Sequence, residues 1–300
     1  MTLKFTKWEA AGNDLILVDC RTSPLPESAP QLAMRLCDRH FGIGSDGLLT
    51  LERGEGGLAL LRMHNPDGSE DFCGNGLRCA AAWLRHAREI PGREAIVLTP
   101  RGRHAAVVEP VDAARYDVEV ETLEPRFAPE EVPVRMEHPA AGGGAHRSRV
   151  LRFPLNIDGD TFEISCVNTG STHTVIWCDE EPDDTLFRRV SPLIETHPLF
   201  PKRTNVLWCR GAGGRVRVRV WERAVGETLS CGSGACAVAA IGRELGRTDP
   251  RVAVVMRGGT LSAAWNGCGP VRLAGPVRLV YAGETNGSGA FVLEDANKGS

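Results

Sequence analysis

The chain has 300 residues, 42% of them hydrophobic and 24% charged, with a net charge of -3 and a pI near 6.3. That length suffices for two domains with sizeable cores, and the balance excludes collagen-like and disordered classes. It also supplies no field that would gather nucleic acid or anionic lipid, so neither a nucleic-acid nor a membrane partner is expected.

The N-terminus, MTLKFTKWEAAGND, lacks the apolar core of a secretion signal. No stretch approaches the eighteen or so apolar residues of a membrane helix, and a cytoplasmic location follows as the expectation. The ten cysteines then read as reduced thiols rather than a disulfide framework. Cys20, Cys178 and Cys209 lie in strand-like apolar runs and read as small buried side chains.

In chain order, a strand-like segment carries AAGNDLILVDC at 10–20, and GIGSDG at 42–47 reads as a turn because it lacks a P-loop lysine. Cys73-Gly74-Asn75-Gly76 then precedes an Ala-rich segment whose Leu77, Ala80, Ala81 and Leu84 form a helical stripe. Residues 128–150 are rich in Pro and Gly and read as a linker. Beyond it come NTGSTHTVIWC at 168–178, the alternating strand RVRVRVWER at 215–223 with its arginines outward, and Cys231-Gly232-Ser233-Gly234. A second stripe follows, of Ala235, Val238, Ala239 and Gly242.

The second half repeats the first at a constant offset of 158 residues: Gly12 falls on Gly170, Cys20 on Cys178, Cys73 on Cys231, and Val271–Val280 overlies Ala113–Thr122. Two homologous lobes are expected, 1–140 with Cys73 and 141–300 with Cys231, each strand-rich around one buried helix. The last strand is free to pack back on the first lobe.

A cysteine at the mouth of a buried helix sits where unpaired N–H groups and the helix dipole favour thiolate. The same amides suit a substrate carboxylate and the charge that builds on it as an α-proton leaves. Inverting a tetrahedral carbon takes a base on one face and an acid on the other, and two lobes related by a pseudo-twofold supply one thiol to each. A pyridoxal route would need a Schiff-base lysine, yet only Lys4, Lys7, Lys202 and Lys298 exist, none beside a glycine-rich cofactor motif. No cofactor is expected. Nor is a metal, because Cys73, Cys79, Cys231 and Cys236 lack the close pairing of zinc ligands.

GND at 12–14, RHFGIGSDG at 39–47, HNPDGSEDFCGNGLRC at 64–79, TNV at 204–206 and WERAVGETLSCGSGAC at 221–236 stand in the order of the diaminopimelate epimerase family, which the chain resembles over nearly its whole length. The resemblance implies an α+β fold of two homologous pseudo-twofold-related domains, each a barrel-like, mostly antiparallel sheet around a central helix. It implies catalysis by Cys73 and Cys231 on a small amino-acid substrate. By the same resemblance Gly74, Asn75, Gly232 and Ser233 cradle carboxylate, and Asn13 contacts the ligand. Asn65, Asn205, Glu222 and Arg223 hold a second amino-acid head, with Arg223 suited to its carboxylate and Glu222 to its ammonium. His173 resembles the histidine beside the reacting centre. Ser171 departs from the family's ligand-binding Asn, and Thr172 from its proline. The resemblance, with Glu222 and Arg223 retained, implies epimerisation of LL- to meso-diaminopimelate, and the alternatives are racemisation of another amino acid such as histidine and a non-catalytic amino-acid-binding or thiol-redox protein. A homodimer is compatible with all three.

Overall fold

The computed structural model describes residues 2–135, 148–286 and 291–294. Its chain divides into two units, Met1–Glu121 with Ala274–Ser300, and Thr122–Leu273. The boundary thus lies at 121/122, where the sequence reading puts it at 140/141. The difference has a packing cause: Val132, Val134 and Val150, at the flanks of the Pro/Gly-rich stretch, are buried in the core of the second unit. Residues 136–147 of the expected linker lie outside the described residues.

Unit 1 carries β1 (Thr2–Ala10), β2 (Asn13–Asp19), α1 (Ala29–Leu36), β3 (Gly47–Arg53), β4 (Ala59–His64), β5 (Glu70–Asp71), α2 (Gly74–His86), β6 (Glu94–Thr99), β7 (Gly102–Pro110) and β8 (Arg115–Glu121). Unit 2 carries β9 (Phe153–Ile157), β10 (Asp160–Asn168), β11 (Thr172–Trp177), α3 (Asp184–Glu195), β12 (Asn205–Glu222), β13 (Gly226–Thr228), α4 (Gly232–Glu244), β14 (Thr248–Met256) and β15 (Gly259–Ala264). The chain then returns to unit 1 along β16 (Arg272–Asn286) and β17 (Phe291–Glu294).

In unit 1 the pairings β1–β2–β3–β4–β6–β7–β8–β16–β1 close on themselves, antiparallel except at β2–β3 and β4–β6. Period-2 alternation drives this: His104, Ala106 and Val108 of β7 and Tyr116, Val118 and Val120 of β8 point inward, with exposed or half-buried residues between them. Inside runs α2, packed against β1–β4 and β6–β8. The sequence stripe predicts one buried face, yet Asn75, Arg78, Cys79 and Ala82 are buried as well. A helix enclosed by strands has no solvent face, and Ala80, Ala81 and Ala82 let the wall come close.

Unit 2 is built alike. Its sheet runs β9–β10–β11–β12–β14–β15, parallel at β11–β12 and β12–β14, and α4 packs against β10, β11, β12, β14 and β15. β12 turns back on itself at Gly211, whose φ of 118° and clearance of only 2.6 Å from a would-be Cβ to the Arg215 carbonyl admit no side chain. α3 begins at Asp183, whose Oδ1 accepts from the Leu186 amide at 2.7 Å, and buries Phe187, Val190 and Ile194. The duplication is kept to the residue: Leu15 pairs Gly47 between β2 and β3, and 158 positions on His173 pairs Asn205 between β11 and β12.

One expectation fails on β12. Arg215 and Arg217 are exposed, but Arg219 is buried with its guanidinium 3.9 Å from the Phe187 ring centre and 2.9 Å from Glu227. α3 covers that strand face, so the third arginine exchanges water for an aromatic face and carboxylates. Among the described residues no helix is long and apolar enough to cross a membrane.

Candidate active site

In unit 1, Cys73 is the N-cap of α2, with extended backbone (φ -127°, ψ 111°), and its sulfur accepts from the Gly76 amide at 3.3 Å. A Cβ at Gly76 would lie 2.8 Å from Leu49 Cδ2 and 3.6 Å from the sulfur, so glycine keeps the thiol seated on the helix end. Cys73 also borders an open cleft of about 240 Å³ with Arg62, Glu70, Asp71, Thr99 and Arg101. Asn75 is buried and its Oδ1 accepts from Arg78 at 2.9 Å, which turns that side chain into the helix turn.

The other unit 1 candidates lie near the ends of neighbouring strands: the registers Leu15↔Gly47 and Leu48↔His64 leave Asn13 two residues along β2 from Leu15 and place Asn65 just past the end of β4. Asn13 Nδ2 donates to Asp46 Oδ2 at 3.1 Å, while its Oδ1 is buried without a partner among the described residues. Asp46 also accepts from the Asp14 amide (3.1 Å) and pairs with Arg39 (2.8 Å). Asp14 lies 2.6 Å from both Lys7 and Arg39 and holds its carboxyl down near about 2, those hydrogen bonds outweighing burial. Asn65 closes a turn, its Nδ2 donating to Ser69 Oγ at 3.0 Å.

In unit 2, Cys231 caps α4 in the same conformation (φ -138°, ψ 112°), accepts from the Gly234 amide at 3.4 Å and lies 3.5 Å from Ser233 Oγ. Both cysteines therefore meet an amide of the first helical turn, where the dipole favours negative charge. Contacts run from Ser233 through Thr169, Ser171 and Asn205 to Arg223. Thr169 Oγ1 donates to the Ser233 carbonyl (2.8 Å), and the Thr169 amide donates to the Ser171 carbonyl (3.2 Å). Asn205 Nδ2 donates to Ser171 Oγ (2.9 Å) and the Thr172 carbonyl (3.0 Å), while its Oδ1 accepts from the Arg223 amide (2.8 Å). Glu222 accepts from Thr228 at 2.7 Å, and the Arg223 guanidinium donates to the Lys202 carbonyl at 3.2 Å.

His173, beside Asn205 in the sheet, is fully buried, and neither ring nitrogen has a partner among the described residues. Burial, helped by Arg223, pushes its pKa down to about 3, so the ring is neutral at physiological pH. Burial pushes Cys20 and Cys166 up to about 12 and Cys178 to about 11, and raises Cys79. Those thiols stay protonated.

Residues 5–127 and 165–280 match the family described as diaminopimelate epimerase. The chain belongs to the diaminopimelate epimerase family. A diaminopimelate epimerase of Pelotomaculum thermopropionicum is 39% identical over 285 residues, covering 94% of this chain and 98% of its own length. One from Synechocystis is 37% identical over 288 residues, covering 95% and 99%. Among solved structures, a hydroxyproline epimerase from Agrobacterium vitis superposes with a TM-score of 0.67 at 14% identity, covering 98% of this chain and 96% of that one. A predicted epimerase from Pseudomonas aeruginosa gives 0.66 at 18%, covering 94% and 99%. At such identities these two show the shared α+β fold.

Two residues beside the site carried no signal as chemistry in the sequence of this epimerase-family chain. Asp46 lies in the segment read as a plain turn, yet it orients the Asn13 amide. Glu195, at the end of α3, accepts from Trp221 Nε1 (2.8 Å) and the Ala224 amide (2.9 Å), which flank Glu222 and Arg223.

Proposed function

We propose that the chain is an isomerase that interconverts LL- and meso-diaminopimelate by a two-base route, one of Cys73 and Cys231 acting as thiolate and the other as thiol. The matched pair of N-cap sulfurs, each held by the amide of a first-turn glycine, carries this reading. One thiolate removes the α-proton, the opposite thiol protonates the other face, and the roles exchange in the reverse direction. The α-carboxylate rests on the amides of Gly74-Asn75 and Gly232-Ser233, where helix dipoles offset the charge that grows as the proton leaves. Neutral His173 offers one donor and one acceptor nitrogen beside the reacting centre.

At the far end of the ligand, Arg223 meets the second carboxylate and Glu222 the second ammonium, with Asn13, Asn65 and Asn205 completing the contacts. Ser171 supplies a shorter side chain than the family's Asn, and its hydroxyl already engages Asn205. Both charges of a two-headed amino acid are thus matched, which favours diaminopimelate over a single-headed amino acid. The net charge of -3 offers nucleic acid no attraction, so the partner is a free small molecule, the setting is cytoplasmic, and a second copy of the chain is the macromolecule this reading admits.

Incubation with LL-diaminopimelate in deuterated water should give meso product labelled at the inverted carbon. A panel of other L-amino acids should take up no label at comparable rates. Absence of exchange with diaminopimelate, or faster exchange with another amino acid, would overturn the substrate; binding without any exchange would favour the non-catalytic reading.

A further inference from the structure

Glu195 is a buried carboxylate, 5% exposed, at the last position of α3. Its oxygens accept three N–H bonds: Trp221 Nε1 on Oε2 at 2.8 Å, and the Ala224 amide at 2.9 Å and Arg203 Nη1 at 3.3 Å on Oε1. Trp221 and Ala224 bracket Glu222 and Arg223. Ala224 has φ +62°, a region that alanine enters only where the surroundings hold it there. The carboxylate supplies that hold, and Asn205 Oδ1 fixes the intervening Arg223 amide from the other side.

The duplicated chain provides an internal comparison. At the offset of 158, Glu222-Arg223 corresponds to His64-Asn65 and Glu195 to Cys37. In unit 1 the corresponding turn closes on itself: the Asn65 amide donates to the Ser69 carbonyl (2.8 Å), the Gly68 amide to the Asn65 carbonyl (2.9 Å), and Asn65 Nδ2 to Ser69 Oγ (3.0 Å). An acidic anchor thus stands behind the turn that carries opposite charges, whereas the equivalent sequence position in unit 1 is a cysteine.

We infer that Glu195 is a positioning residue, which fixes the Glu222-Arg223 turn and so sets the preference for an amino acid with a second charged head. The inference rests on the diaminopimelate reading above. A carboxylate suits the task because it accepts on both oxygens at once, whereas glutamine accepts on one and alanine on none. Loss of the anchor leaves the capping thiols in place but lets Arg223 swing, so substrate binding suffers and the proton-transfer step does not.

The test measures α-proton exchange of LL-diaminopimelate in deuterated water by the full-length protein and its Glu195→Ala and Glu195→Gln variants. Each is followed by amide hydrogen exchange of the peptide spanning 221–226. Glu195→Ala should raise KM on the order of 10- to 100-fold with kcat within about threefold, and Glu195→Gln should fall between it and the parent. In the alanine variant the Ala224 amide should lose protection while α4 keeps its own. An unchanged KM, a kcat loss equal to the whole loss in kcat/KM, or unchanged protection at 221–226 would overturn the proposal. Should the parent fail to exchange diaminopimelate, the substrate reading falls and the specificity role with it. Lost protection at Ala224 would then still uphold the anchoring role.

Discussion

Replacing Gly234 with alanine separates the seating of the Cys231 thiol from the stability of the helix beneath it. A Cβ there would stand 3.1 Å from Cys231 Cβ, 3.3 Å from its sulfur and 3.2 Å from Leu207 Cδ2. Carbon contacts settle at about 3.5–4.0 Å, so the cysteine must recede by roughly half an ångström. Alanine gains about 1 kcal/mol over glycine in a helix, and overpacking costs about 1–3 kcal/mol, so stability should drop by no more than about 2 kcal/mol. Turnover is more sensitive: a misplacement near 1 Å can cost ~100-fold, and half that displacement should cost on the order of tenfold in kcat. Gly92→Ala is the control, because nothing lies within 4 Å of its Cβ position. Deuterium exchange gives kcat and chemical denaturation gives stability. If Gly234→Ala turns over at the parental rate, or if Gly92→Ala slows equally, close packing of glycine on the thiol has no part in catalysis.

Cys73→Ala and Cys231→Ala should each lower racemisation by on the order of 10²- to 10⁴-fold, the usual worth of a positioned proton-transfer group, and near-parental turnover in either would exclude the two-base scheme. Asp46→Asn replaces an acceptor-only partner of the Asn13 amide with one that can offer N–H. KM should rise about tenfold with little change in the unfolding midpoint, as measured by steady-state exchange kinetics and thermal melting. His173 makes stability depend on pH. Its folded pKa, about 3, lies below the ordinary value of 6.5, so between those limits the unfolded chain binds the extra proton. The group's contribution is intact above about pH 6.5 and is lost as pH falls toward 3, at up to about 1.4 kcal/mol per unit. Denaturant titrations of the parent and His173→Gln should diverge in that window; parallel curves would mean that the ring is not buried neutral.

The duplication was legible because it is kept at residue level. Gly74–His86 and Gly232–Glu244 are helices displaced by the same 158 positions as the two cysteines, and strand registers follow suit. The capping thiols were legible because Gly-x-Gly after cysteine has a physical meaning at a helix start. Burial of α2 on every side was not, since a stripe in sequence cannot tell a helix lying on a sheet from one enclosed by it. Arg219 and Glu195 escaped notice for a different reason. Each looks like an ordinary surface charge until α3 is laid against β12, and only the fold brings Phe187 to one and Trp221 to the other.

β16 is the stave that completes unit 1, hydrogen-bonded to β1 on one side and β8 on the other, although 150 residues of unit 2 separate it from β8 along the chain. During synthesis the first unit must wait with two unpaired edges while the whole of the second emerges. Phe5, which β16 later meets through Tyr281 at a ring separation of 6.1 Å, stays uncovered for that interval. A chain truncated after residue 273 should therefore expose a sticky edge in the half made first, while it keeps every strand of the half made second.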